Sequence, residues 1–411
     1  MRILIISQYF WPENFRINDL AIELATRGHA VTVLSGLPNY PDGKIFDAYK
    51  KHPSNFNNYK NVNIIRVPLF PRGSGKLRLL FNYLSFTINA IIFGVWKLRK
   101  NSFDVIFVNQ LSPVTVGLVG AFFAGLKKAP MVMWVLDLWP DTLQAIGIIR
   151  SPKILRLIEK LVSIIYKNCD LILSQSKSFI PLIKKNSHPN ENIEYIPSWA
   201  EELFKNKTLN NVFKIPHKKN SFNIVFAGNI GEAQDFPCIL NAAEILKNNT
   251  RIRWVIIGDG RMKDWVKKEI ISRELNNNVI LLGNFPLDYM PSFYQQADAL
   301  LVTLQDKPIF AMTIPGKLQS YLASGKPVLA ALNSEGAELI KEGRAGMVSN
   351  SGDPEGLAQI ALALSKSNSY ELLEFGECSR RVSDTLFQRD VVINKIEKLL
   401  LETILKKSYK L

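Results

Sequence analysis

Apolar residues along this chain come in short unbroken runs that alternate with stretches of helical spacing. Residues 2–7 read RILIIS and residues 30–34 read AVTVL, the continuous hydrophobicity of strands covered on both faces. Between them Leu20, Ala21, Leu24 and Ala25 share one face of a helix over 18–27, which stops at Gly28. Strand, helix and strand within about 30 residues predict a right-handed βαβ unit and hence a parallel sheet. The same alternation predicts strands at 63–69, 104–108, 130–136, 171–174 and 193–196, with helices over 113–126, 153–168 and 178–185 between them. Residues 199–220 are Lys- and Asn-rich and read as a linker. The pattern restarts with strands at 222–227, 254–257, 279–282, 299–302 and 327–330, and with helices at 236–247 and 289–296. Residues 390–407 again have helical spacing. A chain of 411 residues is too long for one core. The expected fold is therefore α/β: a doubly wound domain over 1–198, a linker over 199–220, a second doubly wound domain over 221–385, and a helix over 386–411 packing back on the first.

Residues 79–96 stand apart, with eighteen positions and no charge. That length is the lower limit for crossing a bilayer, but Asn82, Ser85, Thr87 and Asn89 interrupt it and it lies between two strands of one sheet. Two readings remain open: a buried crossover helix, or an interfacial helix with basic anchors at Arg72, Lys76, Arg78, Arg99 and Lys100.

Charge sharpens this picture. The formal net charge is +15. Residues 1–199 hold 24 Lys and Arg against 12 Asp and Glu, and residues 48–103 hold ten basic residues and no acid. Such a field favours an anionic partner, membrane lipid or a phosphate-bearing substrate. No stacking or recognition module accompanies it, so nucleic acid is not expected. The cysteines, Cys169, Cys238 and Cys378, are far apart, which suits a reducing compartment and offers no metal-type pair. The N-terminus runs straight into a strand-like segment without the pattern of a secretory leader, so a cytoplasmic location is expected.

Open parallel sheets bind ligands beyond the carboxyl ends of their strands, so the loops there carry the candidate chemistry. After the first strand come Glu13, Asn14 and Arg16, and after the 130–136 strand comes Asp137. In the second half the corresponding loops hold Gly228 and Asn229, then Gly258, Gly260 and Arg261, then Asn284 and Phe285. The stretch 315–330, PGKLQSYLASGKPVLA, turns through Gly316 into a helix start with Lys317 beside it. That is a backbone N–H cluster plus a full positive charge, a ready anion site.

The pieces RGHAVTV (27–33), FAGNIG (226–231), IGDG (257–260), ADA (297–299), PGKL (315–318) and YLASGKPV (321–328), in this order, resemble glycosyltransferase family 4. The resemblance implies the GT-B architecture, two Rossmann-like domains facing a cleft. Within the family the chain is similar to bacterial O-antigen and capsule transferases of the L-fucosamine type. It implies a retaining enzyme that uses a UDP-linked nucleotide-sugar and an undecaprenyl-diphosphate-linked saccharide acceptor at the inner face of the membrane. By resemblance the donor contacts are Gly228, Asn229, Arg261, Asn284, Phe285, Gly316, Lys317 and Ser320, the first domain holds the acceptor at Glu13, Asn14 and Arg16, and Asp137 faces the reacting sugar. No cofactor and no divalent metal are expected, since no Asp-x-Asp is present. Met312 and Ser320 stand where the family carries a pair of glutamates, so the ribose-binding carboxylate is missing. A sugar-nucleotide 2-epimerase, or an inactive partner protein on the same fold, are the alternatives.

Overall fold

The computed structural model describes residues 1–40, 43–73, 75–188, 192–205 and 212–409. The chain forms two compact units, Met1–Ile196 with Ile393–Leu411, and Pro197–Val392.

In the first unit the strands are β1 (Arg2–Ile6), β2 (Ala30–Gly36), β3 (Asn58–Tyr59), β4 (Val62–Val67), β5 (Val105–Gln110), β6 (Met131–Val135), β7 (Leu171–Ser174) and β8 (Ile193–Tyr195). Their order is β3-β4-β2-β1-β5-β6-β7-β8. Ile3 through Ile6 are fully buried because crossover helices cover both faces of the sheet, which is why the strand sequence is apolar without alternation. All pairings are parallel except β3 with β4. That pair is a two-residue hairpin, unforeseen in the sequence, whose loop residues Lys60 and Asn61 both take positive φ, as a tight turn matching strand twist requires. The direction of chain progression reverses between β1 and β5, so a crevice opens at their carboxyl ends. The C-terminal helix Arg389–Ser408 is held against this unit through Glu397, which takes Arg27 Nη1 at 2.7 Å and lies 2.7 Å from His29 Nε2. Lys407 Nζ reaches Asp170 at 2.7 Å.

The second unit carries β9 (Phe222–Ala227), β10 (Ile252–Ile257), β11 (Val279–Gly283), β12 (Ala299–Thr303), β13 (Val328–Ala331) and β14 (Gly346–Ser349) in the order β11-β10-β9-β12-β13-β14, all parallel. Here the reversal falls between β9 and β12. The core centres on Phe226, Phe236, Trp254 and Leu329, buried between the sheet and the helices Phe236–Ile245 and Pro354–Lys366. The stretch read as a linker is not one where it is described. Phe213 packs on Phe285 and Phe293 at 4.7 and 5.4 Å, and Pro216 O accepts Arg253 Nη1 at 2.8 Å, so this segment is part of the second unit.

Candidate functional site

The crevice of the second unit is built from glycine. Gly258 has φ of 143°, and a Cβ there would lie 1.8 Å from Gly228 O; a Cβ on Gly260 would lie 2.3 Å from Ile230 O. The loops after β9 and β10 therefore touch backbone to backbone, tied by Ile230 N–H to Asp259 O at 2.8 Å and Met262 N–H to Ile230 O at 3.0 Å. Neither contact tolerates a side chain.

Onto this floor comes the helix Gly316–Ser324, with Pro315 ahead of it and no side chain capping its first turn. Lys317 reaches over Gly228: a Cβ on that glycine would sit 3.4 Å from Nζ. The ammonium lies 3.6 Å from the centroid of Phe226 and donates to Gln234 Oε1 at 2.5 Å. Burial pushes the Lys317 pKa down to about 7, and no carboxylate among the described residues offsets that loss of hydration. Tyr321 fixes the helix to β9, its hydroxyl accepting from Ala227 N–H at 2.9 Å and facing Ala227 O at 3.3 Å. The arrangement suits an anion: a helix start, open glycine backbone and a poorly solvated lysine meet at one place.

The other predicted donor contacts divide. Asn229 and Arg261 are exposed on the same two glycine loops. Asn284 is exposed at the tip after β11, but the Phe285 ring is engaged with Phe213, Phe293 and Tyr289, so it is part of an aromatic cluster rather than a bare platform. Ser320 is buried, and its hydroxyl donates to Glu201 Oε2 at 3.0 Å. The carboxylate missing from the helix is thus present in space, supplied by a segment 119 residues earlier. Sequence reasoning missed Glu201, since nothing local to residues 197–205 marks it.

In the first unit the acceptor candidates are revised. Glu13 is only 2% exposed and spent on the backbone: Oε1 takes the N–H groups of Asn39 at 2.8 Å and Tyr40 at 2.7 Å, and Oε2 takes that of Phe10 at 3.2 Å. It is a latch between two strand-tip loops, with a pKa raised by burial. Asn14 is exposed, and Arg16 is half-buried at the start of the helix Arg16–Thr26. At the β1/β5 switch point Ser7, Gln8, Asn109 and Ser112 surround a void too small for a water molecule. Gln8 Oε1 and Asn109 Oδ1 are buried there without a hydrogen-bond partner. Asp137 stands just past β6, where Oδ1 accepts Thr142 Oγ1 at 2.6 Å and Oδ2 accepts Trp139 Nε1 at 3.2 Å. Burial raises its pKa to about 6.

The uncharged stretch forms the helix Lys76–Leu98. It is the one described helix long and apolar enough to cross a membrane, and 33% of its apolar window is buried in the unit. Leu77, Phe81, Ile88 and Ile92 are more than half exposed, while Phe86, Ala90 and Leu98 are fully buried. Of the expected basic anchors, Arg78, Arg99 and Lys100 are exposed. Arg72 is turned inward, its guanidinium 5.4 Å from the Tyr40 ring centroid and bonded to Tyr9, so it is not a surface anchor. The side chain of Lys76 lies outside the described residues.

Two family models match the chain, Glycosyltransferase Family 4 over residues 15–200 and Glycosyl transferases group 1 over residues 221–367. A protein of Pseudomonas aeruginosa that bears the name "Probable glycosyltransferase WbjE" is 31% identical over 303 residues, covering 71% of this chain and 73% of its own. A protein of Escherichia coli that bears the name "Putative colanic acid biosynthesis glycosyl transferase WcaI" is 26% identical over 355 residues, covering 79% of this chain and 82% of its own. Among solved structures, Anabaena HepE in complex with UDP superposes with a TM-score of 0.69 at 15% identity, covering 98% of this chain and 100% of that one. Matched on both of its units and related to WbjE over most of its length, the chain belongs to the family 4 glycosyltransferases and has their GT-B fold.

Proposed function

We propose that this enzyme transfers a sugar from a UDP-sugar to an undecaprenyl-diphosphate-linked saccharide during bacterial surface-polysaccharide assembly, with retention of anomeric configuration. The observation that carries the donor half is Lys317: a desolvated ammonium over the Gly228 backbone at a helix start, facing the switch point of a nucleotide-type sheet. UDP in the HepE complex supports a nucleotide-sugar donor, and the name of WcaI, which refers to colanic acid biosynthesis, supports a polysaccharide product.

In this reading the donor diphosphate lies against Gly228, Gly316 and Lys317, with Arg261 reaching its outer oxygens. The ribose diol hydrogen-bonds to Glu201, which Ser320 orients. As the bond between the anomeric carbon and the diphosphate oxygen breaks, Lys317 stabilises the charge developing on the leaving group. The acceptor hydroxyl attacks from the same face, and its proton passes to the departing phosphate oxygen. The protein then supplies position and charge rather than a nucleophile. Asp137, at the strand tips of the first unit, is the carboxylate assigned to the reacting sugar. No divalent metal takes part. N-acetyl-L-fucosamine is the first donor to test.

The test is a donor panel. Pure protein is incubated with GlcNAc-diphospho-undecaprenol and UDP-sugars, including UDP-N-acetyl-L-fucosamine, and the lipid is weighed by mass spectrometry. One added sugar from one donor supports the reading. An unmodified lipid with a UDP-sugar isomerised in its place would mark an epimerase and overturn it.

A further inference from the structure

We propose that the outer face of the helix Lys76–Leu98 is a docking surface for an anionic lipid bilayer, on which the helix lies along the interface without crossing it. The exposed apolar residues Leu77, Leu80, Phe81, Leu84, Ile88, Ile92 and Val95 recur at helical spacing and form a single stripe. From Leu77 to Val95 the stripe runs about 27 Å at 1.5 Å per residue. The neighbouring helix Val116–Lys127 widens it with Phe122 and Leu126, 40% and 50% exposed. An apolar face this long marks an interaction site.

Crossing is excluded by how the helix is tied down. Its inner face is pinned to the unit through Asn82 Nδ2 to Phe70 O at 2.7 Å, Asn89 Nδ2 to Pro68 O at 2.9 Å, and Thr87 Oγ1 to Thr115 Oγ1 at 2.9 Å. It also connects β4 to β5 of one sheet. Its inner face is therefore protein core and its outer face is free for lipid.

Charge selects the occupant. Arg78 stands exposed at one end of the stripe, Arg99 and Lys100 at the other, and no Asp or Glu occurs between residues 48 and 103. Two copies of this face would bring their basic rims together, whereas acidic headgroups complement them. Trp96, 63% exposed with the Arg99 guanidinium 5.2 Å from its ring centroid, has the amphipathic character suited to the headgroup level. The inference concerns where the protein sits, and it stands whether or not the donor reading holds.

The full chain is mixed with phosphatidylcholine vesicles with and without phosphatidylglycerol, and bound protein is measured by flotation. Two variants are compared: Leu84→Ser/Ile88→Ser/Ile92→Ser, and Arg78→Gln/Arg99→Gln/Lys100→Gln. Because all six positions are solvent-exposed, thermal melting and UDP binding of both variants should match the wild type. Wild type is expected to float with the phosphatidylglycerol vesicles. Partitioning should fall about 100-fold in the charge variant, from the usual attraction per basic residue, and by at least as much in the apolar variant. Wild type failing to float, or variants floating like wild type, overturns the proposal. So does a dimer of the wild type that the apolar variant abolishes while vesicle binding persists, which would assign the face to a second copy of the chain.

Discussion

Lys317 gives the sharpest prediction. Its ammonium has a pKa of about 7 because the walls of the crevice strip its hydration and no carboxylate among the described residues restores it. A bound diphosphate supplies the missing charge and must raise that pKa. Below pH 7 the lysine is already largely protonated, and its titration no longer sets the affinity for UDP. Above pH 7 binding requires proton uptake, so Kd should rise by up to tenfold per pH unit until the pKa of the complex is reached. Between pH 7 and 9 that amounts to roughly 100-fold, from 1.36 kcal/mol per pKa unit. The window lies above the second pKa of a phosphate group, about 6, so titration of the ligand does not contribute. Lys317→Met keeps the stem and removes the charge. It should weaken UDP binding at pH 7 by roughly 10- to 100-fold, the worth of a charge-assisted hydrogen bond of about 1.5–3 kcal/mol, and erase the pH slope. Isothermal titration calorimetry in buffers of different ionisation enthalpy reads both affinity and proton uptake. A Kd that is flat from pH 7 to 9, or a slope that survives in Lys317→Met, refutes the placement of the diphosphate.

Three further outcomes are expected. Glu201→Gln should weaken UDP binding about 5- to 10-fold while leaving free pyrophosphate unaffected, because a charged hydrogen-bond acceptor for the ribose is worth about 1–1.5 kcal/mol more than a neutral one; equal losses for both ligands, read by competition, would place Glu201 elsewhere. Asp137→Asn should abolish most transfer with UDP affinity retained. Since burial raises the Asp137 pKa to about 6, its ionisation costs folding stability as pH rises through 4 to 6, so the Asn variant should melt at or above the wild-type temperature at pH 7; a lower Tm would contradict this. Gly258→Ala should destabilise the second unit by roughly 2–4 kcal/mol, because its Cβ would meet Gly228 O at 1.8 Å and its φ is 143°, and urea denaturation checks it.

Much of the scaffold is legible in the sequence because parallel strands buried on both faces leave a distinctive signature. RILII and FNIVFA have no polar alternation, and the glycines that follow β9 and β10 mark close backbone approach. What stays hidden is decided by residues distant in the chain. Glu13 looks like a ligand contact at a strand tip, but the N–H groups of Asn39 and Tyr40 arrive from another loop and consume it. Phe285 looks like a platform until Phe213 covers it from a segment that reads as a linker. Ser320 looks like a lost carboxylate, while Glu201 restores one from 119 residues away. The helix Lys76–Leu98 has one apolar composition for two readings, and only its packing separates the buried face from the exposed one.

The most direct test of the central claim is a stoichiometric time course with purified protein, the UDP-sugar selected by the donor panel, and GlcNAc-diphospho-undecaprenol. UDP release and glycolipid formation are followed together in wild type and Lys317→Met. Equal amounts of UDP and extended lipid in the wild type, with both rates falling together in the variant, are expected. UDP released without extended lipid, or a variant as fast as wild type, would contradict it.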